Sequence, residues 1–447
     1  MKLHSSTALL VLAGCGAMAL IAGSFLFWYG GLVDPEGCLY IASYLDDGRS
    51  IASRIFDPRR NEWGHYQARD LGFLIEFVDA QCFRLLYRAG HFHFLSCVQV
   101  FTAAAFCAIF LVGTRLVFPE IPAFVSALLL LVFWSDVVPS ASIAVYYRAG
   151  RLVLGTVLLL LFFLVAAHYR RRESRLPRLL AIAGLLIAGG LIDRQGFFVA
   201  AAGACVLAIG AGRGRSADRR LFAAFAAPTV VLIAYDVLIG PALVHRFNGY
   251  YPSLDYQKRT LALLWERPVY LLRSGFYLLE QASFWFGGVP VALFALAFAA
   301  AALAYLRWRG RALRLGFWAA GFGLVYTMAL LMMVRHPPIY TFVDHRRWYY
   351  PLIIHVLFLM GAVLVASEAR AWIARRSFLA VGILALAVAG NLYRLPDHRR
   401  KMLESGYYRA MVERTFLVRN ALQASTGNAA LDSASAGLFE RMTARTK

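Results

Sequence analysis

Acidic side chains are scarce in this chain: 25 Asp and Glu stand against 46 Lys and Arg, a formal net charge of +21 over 447 residues. In a soluble protein that imbalance points to nucleic acid. No RNA- or DNA-binding motif accompanies it, and many of the arginines sit in short loops between apolar runs, so nucleic acid is not an expected partner. Cysteine is sparse too. The six are scattered without C-x-x-C or any other metal-ligand spacing. Cys15, Cys97, Cys107 and Cys205 fall within apolar runs as small hydrophobes, while Cys38 and Cys82 share one polar loop and are able to pair if that loop faces an oxidising compartment. A P-loop, G-x-S-x-G and H-E-x-x-H are also missing, which disfavours ATP-driven transport, intramembrane serine chemistry and zinc proteolysis.

Apolar sequence is what the chain has in excess. Hydrophobic residues make up 60%, and the mean hydropathy is +0.60, well above a soluble domain and in the range of a polytopic membrane protein. The preference for arginine over lysine, with abundant alanine and leucine, is that of a high-GC bacterial genome.

A membrane helix needs about twenty apolar residues. The first run, 7–28, is too long for a signal-peptide core, and no small-x-small cleavage site follows it, so it reads as an anchor. Further runs lie at 93–118, 121–138, 150–168, 178–193, 196–212, 221–240, 284–306, 315–334, 352–367 and 377–395. The expected fold is all-α, a polytopic transmembrane bundle of about eleven helices. Residues 1–395 form the membrane module, and 396–447 form a tail whose end, "ASTGNAALDSASAG", is small, polar and loosely ordered in expectation.

Loop charge sets the orientation. The arginine-rich loops 168–178, 213–220, 307–314 and 368–376 fall on one side if the helices alternate, and the positive-inside rule makes that side cytoplasmic. The N-terminus is then cytoplasmic. Loop 29–92, the turns at 139–149 and 193–196, loops 241–283 and 335–351, and the tail lie outside, in the periplasm of a bacterial inner membrane.

Three outer segments carry apolar residues at helical spacing: 36–53, 70–88 and 258–281. In 70–88 the apolar set is Leu71, Leu74, Ile75, Val78, Phe83 and Leu86. Such helices either lie on the membrane, apolar face down, or pack that face on the bundle, and the pattern fits both.

Ionisable groups within apolar runs are costly and usually functional. Asp136, Asp193, Arg194, Asp236, Arg335 and His336 all occupy the outer ends of their runs. Helix ends are polar in any case. Taken together with the acids of the first loop, though, these residues predict a polar cavity opening outward. A transporter of lipid-linked glycan or polymer is the alternative reading. It calls for mid-membrane polar groups or repeated halves, and here no repeat is evident and His355 is the main deeper candidate.

The segments "DPEGCLYIASYLDDGRSI" after the first anchor and "HYQARDLGFLIEF" after it resemble the start of the polytopic GT-C glycosyltransferases, with Asp34, Tyr40, Ala42, Leu45 and Gly48 fitting that pattern. "YYRAGRLVLGTVLLLLFFL", "LIDRQGFFVAAAG", "LWERPVYLL" and "DHRRWYYPLIIHVLFLMG" are similar to later pieces of those enzymes, so the likeness in arrangement covers most of the chain. Two departures leave the choice of acid open: Pro35 separates Asp34 from Glu36, and Arg69-Asp70 stands where many members have Pro-Pro.

The resemblance implies a sugar donor on polyprenyl phosphate and an acceptor glycan, lipid or protein at the outer face. No nucleotide-binding fold is then required. A carboxylate would take or orient the acceptor proton: Asp34 by preference, with Glu36 and Asp70 in reserve. Arginines suit the leaving lipid phosphate, and Arg148, Arg194, Arg346 and Arg347 are the candidates, Arg151 serving equally well as a headgroup anchor. Tyr40, His345 and Tyr349 are the expected substrate contacts, although aromatics here also suit an interfacial belt. No cofactor is expected; a divalent cation between two converging carboxylates is possible chemistry but is not favoured. Asp46 and Asp47 read as the polar end of a surface helix, and His91 and His93 as interfacial.

Overall fold

Helices account for all regular structure in the computed structural model, which describes residues 2–23, 49–56, 68–88, 97–137, 149–171, 175–211, 216–252 and 351–404. In chain order these are α1 (Lys2–Gly23), α2 (Ile51–Ile55), α3 (Asp70–Arg88), α4 (Cys97–Val117), α5 (Ala123–Val137), α6 (Ala149–Arg171), α7 (Leu176–Ile192), α8 (Arg194–Ala211) and α9 (Ser216–Ala234). A π-helical turn (Tyr235–Ile239) follows, then α10 (Gly240–Asn248), α11 (Pro351–Glu368), α12 (Arg370–Arg375) and α13 (Ser377–Glu404). Among the described residues three stretches are long and apolar enough to cross a membrane: Cys97–Val117, Gly150–Arg170 and Arg219–Asn248. Shorter apolar helices lie at Ala8–Ile21, Ala123–Ser135, Leu176–Ile192, His355–Glu368 and Ser377–Tyr393. The described residues therefore do not establish the expected count of about eleven. The runs at 284–306 and 315–334 and the surface segment 258–281 lie outside them.

The chain divides into two compact units. The first holds residues 1–55, 70–167 and 344–447. Its centre is α5, on which α1, α4, α11 and α13 pack. Trp134, Phe106, Phe110, Ile21 and Leu130 are its largest fully buried side chains. Phe106 stacks on Phe133 at 4.9 Å and meets Trp134 edge-on at 5.6 Å, the geometry aromatic quadrupoles favour. Polar side chains fix the register. Asn391 Nδ2 on α13 donates to Ser135 Oγ (3.1 Å) and the Val132 carbonyl (3.4 Å), and the Ser367 hydroxyl at the end of α11 donates to Glu120 in the α4–α5 turn. So the end of α11 lies beside the start of α5, and the middle of α13 beside its end.

The second unit holds residues 56–69 and 168–343. Here α7, α8 and α9 pack on one another. Gly190 of α7 meets Leu232 of α9, and Gly203 of α8 meets Phe225. Close approach through small residues is how helices associate where no water drives them together.

Two boundaries differ from expectation. The run ending at 240 continues as helix to Asn248, and the run ending at 395 continues through Pro396 to Glu404. The first extension has a local cause. Gly240 donates its N–H to the Tyr235 carbonyl, five residues back, and both Ile239 and Gly240 keep right-handed helical dihedrals. A residue before proline resists that conformation partly because of its Cβ. Glycine has none, so Gly240-Pro241 continues the helix instead of stopping it.

Candidate functional site

In the second unit a single residue connects two apolar helices. α7 ends at Ile192, Asp193 is extended (φ −152°, ψ 149°), and α8 begins at Arg194. Asp193 donates its N–H to the Gly189 carbonyl (3.1 Å), and its carbonyl accepts from Gly196 N–H (2.8 Å). Its Oδ1 accepts the Gln195 N–H at 3.1 Å, capping the orphan donors of α8. So short a connection works only because the helices touch backbone to backbone: a Cβ at Gly196 would lie 2.2 Å from the carbonyl carbon of Gly189.

The other oxygen of Asp193 does something else. Asp193 Oδ2 lies 3.1 Å from the guanidinium of Arg69, and both side chains are nearly buried. Beside Asp193 in sequence, the Arg194 guanidinium donates to both carboxylate oxygens of Asp236 at 3.4 Å, a longer separation than a tight charge-assisted bond. Asp236 Oδ1 also accepts the Ala68 N–H at 3.3 Å. Two arginines and two acids from three distant segments thus meet at one end of the unit, each arginine paired with an acid. A membrane protein tolerates ionised groups near lipid on that condition. Asp236 belongs to the π turn. Such turns insert one extra residue in a helix and recur at functional sites.

An aromatic shoulder adjoins this cluster. Ala68 and Val244 are buried together, with Phe56, Tyr235 and Tyr250 packed against them. Phe56 stacks on Phe247 at 5.5 Å, and Asn248 Nδ2 donates to the Phe56 carbonyl at 2.8 Å. α10 stops at Gly249, whose φ of 75° is left-handed and whose N–H returns to the His245 carbonyl. That turn brings Tyr251 onto the His245 ring, 4.1 Å apart and 15° from parallel.

In the first unit, α3 follows the bounds its sequence predicts. Leu74, Val78 and Leu85 share one face and are exposed, whereas Asp70, Glu76, Asp79 and Phe73 are buried. The three acids do not share a face, since Asp70 and Asp79 lie on opposite sides of the helix, but protein covers each of them. Asp79 Oδ1 accepts the Val98 N–H at 3.0 Å, capping α4 from another helix. The short α2 packs on α3, and its buried Arg54 lies over the Phe77 ring at 5.8 Å. Arg151 and His355 are buried in the same unit.

Of the predicted site residues, Asp70 and Arg194 are described. Asp70 is buried in the first turn of α3, where a carboxylate complements the helix dipole, and Arg194 pairs with Asp236. Asp34, Glu36, Tyr40, Arg148, His345, Arg346, Arg347 and Tyr349 lie outside the described residues, as do Asp46, Asp47, His91, His93, Arg335 and His336. Asp136 falls in the last turn of α5. Cys82 carries a free thiol, and Cys38 lies outside the described residues. Among the described residues no group of three or more His, Cys, Asp and Glu is placed to hold a metal ion.

Sequence reasoning passed over Arg69, Glu76, Asp79 and Arg54. For Asp79 a signal existed, since it stands between Ile75 and Phe83 at i+4 spacing, within the apolar set of α3. No protein-family model, curated protein or solved structure matches this chain.

Proposed function

We propose that the protein is an integral membrane glycosyltransferase of the GT-C kind, which moves a sugar from a polyprenyl-phosphate donor to an acceptor at the periplasmic face of a bacterial inner membrane. The observation that supports this reading is the meeting of Arg69, Asp193, Arg194 and Asp236 at one end of an apolar helix bundle. Sugar transfer from a lipid phosphate needs a carboxylate near the acceptor and fixed cations near the leaving phosphate. A cluster whose arginines are already positioned by acids supplies oriented cations without burying an uncompensated charge.

In this reading Asp34 takes or orients the acceptor proton, with Glu36 and Asp70 as the other acids of the first periplasmic loop. Arg148, Arg194, Arg346 and Arg347 hold the donor phosphate, while Tyr40, His345 and Tyr349 contact the substrates. The long bond from Arg194 to Asp236 fits an arginine that exchanges one anion for another. α3 lies on the membrane by Leu74, Val78 and Leu85 and presents its acids to the protein.

The test is transfer from radiolabelled polyprenyl-phosphate sugars by the full chain in lipid nanodiscs, wild type beside Asp34→Asn. Activity in the wild type and its loss in a folded Asp34→Asn supports the assignment. Activity surviving in the variant moves the base to Glu36 or Asp70. Flipping of a lipid-linked glycan without transfer would replace the enzyme by a transporter.

A further inference from the structure

The continuous helical stretch Arg219–Asn248 has 30 residues, about 45 Å at 1.5 Å per residue. A tilt of about 20° still leaves it well beyond a hydrocarbon core of about 30 Å. Starting above the paired arginines Arg219 and Arg220, about twenty residues span that core, which brings the chain to Gly240. The nine residues of α10 then carry it about 13 Å farther, past the level at which interfacial aromatic belts sit.

What α10 carries there is aromatic, exposed and held in place. Tyr251 is 67% exposed and Phe247 38%, and His245 and Arg246 are exposed as well. The His245 and Tyr251 rings are nearly parallel in their stack, each covering one face of the other, and Phe247 is stacked on Phe56. The bond from Asn248 to Phe56, the left-handed Gly249 and the buried Val244 set these rings before any ligand arrives. An exposed aromatic stack, with the Arg246 guanidinium over the neighbouring Phe247 ring at 5.8 Å, complements one chemistry closely. A pyranose ring presents axial C–H groups, of partial positive charge, to the negative face of an aromatic ring. Its hydroxyls meanwhile reach the flanking nitrogen donors.

We propose that the shoulder formed by His245, Phe247 and Tyr251 is a carbohydrate-binding platform that receives the pyranose rings of a glycan acceptor. Its role as an acceptor site rests on the sugar-transfer reading, whereas saccharide binding does not. Preorganised rings lose little freedom on binding, so weak affinity per sugar suffices when several sugars bind in a row.

The test is saturation-transfer NMR with the full chain in nanodiscs and no donor present, using maltotetraose, α1,6-mannotetraose and chitotetraose as probes. The expected result is ring-proton saturation of at least one probe, with binding roughly ten-fold weaker in Tyr251→Ala and retained in Tyr251→Trp. No saturation with any probe, or saturation equal in wild type and Tyr251→Ala, overturns the proposal. So does bromolipid quenching of the fluorescence that Tyr251→Trp adds over the nine native tryptophans, read as the difference between variant and wild type, which would make the shoulder a membrane belt. A protein that binds a probe through Tyr251 yet transfers no sugar leaves the platform standing and removes the transferase. One that transfers sugar without Tyr251-dependent saturation removes the platform alone.

Discussion

Arg194 reaches Asp236 across 3.4 Å, although 42 positions separate them in the chain. The contact ties the first residue of α8 to the π turn after α9, and the Ala68 N–H on the same carboxylate brings in the first loop. Each group is about a fifth to a quarter exposed, so the pair is worth more than a surface ion pair and less than a buried one. A double-mutant cycle with Arg194→Ala and Asp236→Ala is expected to give a coupling of about 1 kcal/mol. Thermal unfolding in detergent reads it, and strictly additive losses would show that the two residues do not interact.

Asp193 has two tasks, and they separate by substitution. Asp193→Asn keeps an oxygen for the Gln195 N–H and loses the charge facing Arg69, whereas Asp193→Ala loses both. The alanine variant is expected to be less stable than the asparagine variant by about 1 kcal/mol, the worth of a helix cap. Equal stability of the two variants would remove the capping role.

Gly196 and Gly249 are both required, for different reasons, and alanine tells them apart. At Gly196 the added methyl meets backbone at 2.2 Å, so α7 and α8 must separate, at a cost of about 1–3 kcal/mol. At Gly249 the space is open and only the left-handed φ of 75° resists, at about 1 kcal/mol. Melting temperatures of the two variants should therefore fall in that order. A Gly196→Ala protein as stable as wild type would contradict the one-residue hairpin.

Asp79 joins α3 to α4. Asp79→Asn preserves an acceptor for Val98 N–H and should stay near wild-type stability, while Asp79→Ala should lose about 1 kcal/mol. Hydrogen exchange at the start of α4 is the sharper readout, with faster exchange expected in the alanine variant only.

Much of the helical layout was legible because apolar runs in lipid need little else to declare themselves. The bounds of α4 through α8 fall within a few residues of their runs, and the convergence of Asp193, Arg194 and Asp236 follows once the runs are made to alternate. The extension of α9 into α10 was not legible. Gly240-Pro241 reads as a stop, and a π turn leaves no periodic signature in five residues. The role of Arg69 was hidden for another reason: the sequence marks it only as a departure from Pro-Pro, and its partner lies 124 positions on. The buried acids of α3 form no single polar face, so the pattern alone does not say that protein covers them.

The most direct measurement of the central claim is sugar transfer by the purified full chain in nanodiscs, comparing a polyprenyl-phosphate sugar with the matching nucleotide sugar as the sole labelled donor. The expected result is labelled product from the lipid-linked donor alone. Transfer from the nucleotide sugar, or no transfer from any lipid-linked donor while the protein remains folded, would contradict the proposed function.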